Sequence, residues 1–126
     1  MMRLHHVAVG ASTEENADTF FEDLVGLSKI KASVLKRELA NSIFHIDAEC
    51  GLMLYGNEDF AVEVIVTNPL PGQRRTVSHI CLEVEGRDHF IERCRSKGLE
   101  INLVPKGDTL LCFIEDFDGN LYEIKG

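Results

Sequence analysis

Residues 4–9 alternate with period two and predict a strand. The period then changes. In "STEENADTFFEDLVGL", Ala17, Phe20, Phe21 and Leu24 recur at i, i+3, i+4 and i+7, one apolar stripe of a helix. Ser12 and Glu15 have capping-box spacing, and Gly26 falls where a helix C-terminus takes a left-handed residue. Strand-like stretches follow at 31–38, 42–48, 51–56 and 60–67, with Asn57, Glu58 and Asp59 as turn residues.

"TNPLPGQRR", with Pro69, Pro71 and Gly72, then breaks the pattern, and the chain begins again. "VSHICLEVEG" alternates as a strand and "RDHFIERCRSKG" reads as a helix, with Phe90, Ile91 and Cys94 apolar and Gly98 closing it. Strands are expected at 100–104, 109–115 and 120–125, with the turn "EDFDGN" between the last two. His6 stands 20 positions before Gly26, and His79 stands 19 before Gly98. The near-match predicts an internal repeat in one domain over 1–126: module one over 1–68, a linker over 69–76 and module two over 77–126.

Superposing the two first strands puts His6 on His79 and His5 on Ser78. Alternation groups His79, Cys81 and Glu83 on one face. It sets His5 with Val7 and Val9, and His6 opposite them. Late in each half a carboxylate interrupts an apolar strand: Glu63 between Ala61 and Ile65 on the face opposite Phe60, Val62, Val64 and Val66, and Glu123 between Tyr122 and Ile124. Such a carboxylate is costly unless something compensates it, and a divalent metal would. Two His and two Glu make a mixed N/O donor set for one Zn, Ni, Co, Mn or Fe(II). His45, on the expected strand 42–48, and the basic pair Arg74–Arg75 are candidate substrate contacts.

Composition narrows the classes. The chain has 126 residues, 44% hydrophobic and 27% charged, with net charge −8. The acidic balance argues against nucleic-acid partners, since there is no basic excess to displace counterions. No apolar run approaches the ~20 residues of a membrane span. The first residues do not read as a secretory signal, so a cytoplasmic protein with no membrane partner is expected. Cys50, Cys81, Cys94 and Cys112 form no CxxC and are expected to be core or near-core residues.

"LHHVAV…ADTFFEDLVGLSK" and "VSHICLEV…IERCRSKGLE…FIEDFDGNLYEI" resemble the vicinal oxygen chelate superfamily, which includes glyoxalase I, methylmalonyl-CoA epimerase, extradiol dioxygenases and bleomycin- and fosfomycin-resistance proteins. The resemblance covers nearly the whole chain. It implies an α+β fold of two βαβββ modules, forming a curved mixed sheet around a metal-binding cleft. The ligands it implies are His6, Glu63, His79 and Glu123, a set similar to that of glyoxalase I. The implied activity is that of a lactoylglutathione-lyase-type lyase or isomerase, with proton transfer next to a carbonyl through a metal-bound enediolate and Glu123 or Glu63 as base. A small-molecule substrate and a homodimer are implied with it. The alternatives are an epimerase-like enzyme and a metal-free, bleomycin-resistance-like binding protein. The chain departs from the family pattern at Phe20-Phe21, where Phe-Tyr is common, and at Phe117, where the turn usually carries proline.

Overall fold

The computed structural model describes residues 2–72 and 77–126. The chain divides into two compact units, Met1–Gln73 and Arg74–Gly126, each built on a four-stranded mixed sheet. The first unit runs β1 (Val7–Ala11), α1 (Glu14–Ala17, continuing as a π-helical segment Asp18–Leu24), β2 (Ser28–Leu35), α2 (Arg37–Phe44), β3 (Cys50–Gly56) and β4 (Ala61–Val66). Its sheet order is β1-β4-β3-β2, with β1 parallel to β4 and the other pairs antiparallel. The second unit runs β5 (Ile80–Glu83), α3 (Arg87–Ser96), β6 (Ile101–Lys106), β7 (Thr109–Glu115) and β8 (Leu121–Lys125). Its order, β5-β8-β7-β6, repeats the first, again with one parallel pair, β5 with β8.

The helical stripe predicted from period is the buried side of α1: Ala17, Phe20, Phe21 and Leu24 are all inaccessible. Phe21 stacks on Tyr55 of β3 with ring centres 5.3 Å apart, and Phe20 meets Phe21 edge-on at 5.0 Å. Tyr55, Val62 and Val64 are also buried. In the second unit Phe90, Ile91 and Cys94 of α3 are buried, as are Cys112, Ile114, Tyr122 and Ile124.

Both helices end alike. Gly26 and Gly98 adopt φ +85°, and the amide after each donates back to a carbonyl, Leu27 N to Phe21 O at 2.8 Å and Leu99 N to Cys94 O at 3.1 Å. The first of these bonds spans one residue more than the second. The Val25 N–H likewise reaches back five residues, to Phe20 O at 2.9 Å. A π-helical turn accommodates one extra residue, so it takes up the difference between the spacings of 20 and 19.

Three expectations need correction. The α1 cap is Thr13, not Ser12: the Thr13 hydroxyl accepts from Asn16 N at 3.0 Å, while Ser12 Oγ accepts from the Asn16 side chain. The stretch 42–48 is not a strand. Arg37–Phe44 is helix α2, held because Ala40, fully buried, packs with Leu35, Cys50 and Ile65. The third concerns Cys81, which is exposed, whereas Cys50, Cys94 and Cys112 are buried. All four are free thiols, and burial pushes the Cys94 thiol up to about 11. Among the described residues no helix is long and apolar enough to cross a membrane.

Candidate functional site

The repeated topology sets the candidate ligands in the same register twice. In the parallel pair β1–β4, Ala8 lies opposite Glu63; in β5–β8, Cys81 lies opposite Glu123. His6 and His79 each stand two residues before the strand partner of the glutamate. Each histidine immediately precedes its strand, and carrying the alternation back by one residue sets it on the same face as its glutamate. The distances agree: His6 Nε2 is 3.7 Å from Glu63 Oε2, and His79 Nε2 is 3.6 Å from Glu123 Oε1.

The other imidazole nitrogens are engaged. His79 Nδ1 is 2.8 Å from the Val77 carbonyl oxygen, and His6 Nδ1 is 2.8 Å from His5 Nδ1. A carbonyl only accepts, so neutral His79 carries its proton on Nδ1 and turns an unprotonated Nε2 towards Glu123. The glutamate side chains keep 25% (Glu63) and 17% (Glu123) of their surface, so neither is a freely solvated strand residue. Partial burial raises the cost of an uncompensated charge, and this favours a cation beside each.

The surroundings differ. Phe113 is the β7 neighbour of Glu123, and its ring meets His79 edge-on at 5.8 Å. Leu54 holds the corresponding place beside Glu63. Lys125 Nζ lies 3.8 Å from Glu123 Oε2, where the first module has Ile65 two residues after Glu63. Cys81 replaces Ala8, and its thiol is pushed up by desolvation and by the nearby Glu123 charge. Phe113, Lys125 and the His5–His6 contact are not among the candidates that motif spacing marks. The alternation of β7 and β8 marked the first two; the third needs coordinates.

The remaining candidates are placed less informatively. His45 is the C-cap of α2, in the left-handed conformation at φ 58° and exposed, rather than on a strand. Arg74 and Arg75 lie outside the described residues. Among the described residues no three His, Cys, Asp or Glu side chains form a group able to hold a metal ion. Each module by itself brings one imidazole and one carboxylate. These donor types suit borderline divalent cations, and a backbone carbonyl such as that of Val77 is a partner that metal-binding histidines ordinarily have at the other ring nitrogen.

The sequence profile of the Glyoxalase/Bleomycin resistance protein/Dioxygenase superfamily matches residues 3–124. No curated protein matches the chain. Among solved structures, the glyoxalase family protein from Enterococcus faecalis is similar over 98% of this chain and 97% of its own, with a TM-score of 0.75 at 17% identity. A glyoxalase family protein from Bacillus cereus follows at 0.74, also with 17% identity, over 98% of this chain and 93% of its own. A mutant of the genomically encoded fosfomycin resistance protein FosX from Listeria monocytogenes, complexed with Mn(II) and 1S,2S-dihydroxypropylphosphonic acid, scores 0.73 at 18% identity, over 99% and 90%.

Proposed function

The chain belongs to the glyoxalase/bleomycin resistance protein/dioxygenase superfamily, and from that premise we propose that it is a metal-dependent lyase or isomerase of the glyoxalase I type. One observation carries the reading: the same His–Glu pair occurs twice, in the same parallel register, with Nδ1 engaged and Nε2 facing the carboxylate each time. A single such pair is an ordinary surface contact. Its exact counterpart in the second module is explained if His6, Glu63, His79 and Glu123 serve one divalent cation. The Mn(II) complex of FosX, a protein of similar fold, supports divalent-metal chemistry on this scaffold.

A bound Zn, Ni, Co, Mn or Fe would supply a Lewis acid for the negative charge that develops on a substrate carbonyl oxygen. The protein's own groups do the rest. His6 and His79, held through Nδ1, act as fixed neutral donors. Glu123 or Glu63 is the carboxylate that takes and returns the proton of the neighbouring C–H, at an Oε atom.

The test is elemental analysis of protein purified without added metal, followed by assay with methylglyoxal and a thiol. The expected result is one divalent metal per site, activity lost on chelation and regained on metal addition, and loss of metal in Glu63→Ala. Protein that holds no metal and takes up none on addition overturns the reading.

A further inference from the structure

The two modules hold their histidines by different means. In the second, Val77 offers a backbone carbonyl to His79 Nδ1, a fixed acceptor that allows one neutral tautomer. In the first, the partner of His6 Nδ1 is a side chain: His5 Nδ1 at 2.8 Å, with the two rings at 80° and their centres 5.1 Å apart. Only one of the two nitrogens can donate in this contact, so the other accepts. If His5 Nδ1 accepts, the proton sits on His6 Nδ1, and the Nε2 that faces Glu63 is unprotonated, as at His79.

We propose that His5 is a positioning residue, which fixes the tautomer and ring orientation of His6 as the Val77 carbonyl does for His79. The proposal rests on the metal reading only for its consequence, since a ligand nitrogen must present a lone pair. Strand parity sets His5 on the face opposite His6, where it reads as a structural or edge residue. The exposed ring nevertheless turns back to its neighbour. The second module needs no such residue, and Ser78 stands at the equivalent position. Outer partners of metal-binding histidines are worth about 10- to 100-fold in metal affinity.

Three variants test this. His5→Ala removes the acceptor, His5→Asn places an amide oxygen near the position of the imidazole Nδ1, and His6→Ala removes the ligand. The first readout is long-range proton–nitrogen NMR of the metal-free protein at about pH 8, where an ordinary imidazole is neutral. Wild type is expected to show an unprotonated His6 Nε2, His5→Ala a tautomer mixture, and His5→Asn the wild-type signature. The second is calorimetric titration with Zn(II) alone. His5→Ala is expected to weaken binding about 10-fold or more, His5→Asn to recover most of it, and His6→Ala to lose far more.

An unchanged His6 tautomer in His5→Ala overturns the proposal. So does a loss of Zn(II) in His5→Ala as complete as in His6→Ala and not rescued by Asn, which would make His5 itself a ligand. If wild type binds no Zn(II), the metal reading falls, and the tautomer comparison alone decides the His5 contact.

Discussion

The two modules share a frame and differ in what fills it. Both run strand, helix, left-handed glycine and three strands, and both put a histidine two residues ahead of the strand partner of a glutamate. The connection after the second strand differs most. In the first module it contains helix α2; in the second, Gly107 and Asp108 suffice, with Gly107 at φ 58°. The helix–sheet cores differ too. The first stacks Phe21 on Tyr55, whereas the second buries Cys94 and Cys112 as well as Phe90 and Ile91. The parallel pair of strands is therefore the constant part: it carries each Glu, and each His lies immediately before its first strand.

The sharpest test of this contrast is in the cores. Phe21→Ala removes a fully buried ring and its stack, and is expected to cost about 4 kcal/mol. Cys94→Ala, at a similarly buried site, removes one sulfur and is expected to cost about 1 kcal/mol. Denaturant titration of the two variants checks the difference. Equal losses would mean that the two modules depend on their helices to the same degree.

What the sequence disclosed follows the same division. Elements with strong periodicity and a glycine stop, such as Ala17–Leu24 with Gly26, were readable because local pattern and tertiary burial agree. So were the glutamates, as charges within apolar strands. Helix α2 was not. "SIFHIDA" alternates like a strand, and the helix ends on His45 in the left-handed conformation, where the usual glycine signal is missing. Its docking depends on Ala40 against Leu35, Cys50 and Ile65, contacts from three separate elements that no local window contains. The Thr13 cap was missed because Ser12, Thr13 and Glu15 offer overlapping signals, and only coordinates show that Asn16 N meets Thr13.

Each module also buries one tyrosine with its hydroxyl on an aspartate, and these pairs differ in strength. Tyr122 Oη donates to Asp116 Oδ2 at 3.0 Å. The Asp116 carboxylate also accepts from the backbone of Asp118 and Asn120 and from the Asn120 side chain. Asp116→Ala strips the acceptor from these donors in the "EDFDGN" turn and is expected to cost about 3 kcal/mol. Tyr55 Oη donates to Asp18 at 2.7 Å, but Asp18 also pairs with Lys29 at 2.8 Å. Tyr55→Phe is accordingly expected to cost only about 1 kcal/mol.

Asp116 adds a pH signature. Burial pushes its carboxyl above the ordinary aspartate range, against the lowering effect of its hydrogen bonds. The group's contribution is therefore fully present below its unfolded value and lost as pH rises through the raised folded one. Asp116→Asn, measured against wild type across that window, is expected to show its largest deficit at the acid end and a shrinking one as pH rises. A deficit that grows with pH would show that the hydrogen bonds outweigh burial.

The smallest expected effect concerns the two carboxylates themselves. Glu123 has Lys125 Nζ at 3.8 Å, and the corresponding neighbour of Glu63 is Ile65. Lys125 is well exposed, so its charge is screened and contributes at most about 1 kcal/mol at low salt. That charge repels a cation held at Glu123. Lys125→Ile makes the second module match the first at this position and is expected to tighten divalent-metal binding up to about fivefold at low ionic strength, with the gain fading as salt is added. Calorimetric titration at two salt concentrations reads both. Weaker binding in Lys125→Ile would mean that the lysine orients Glu123 for the metal rather than competing with it, and the modules would then differ in how they hold their carboxylates as well as their histidines.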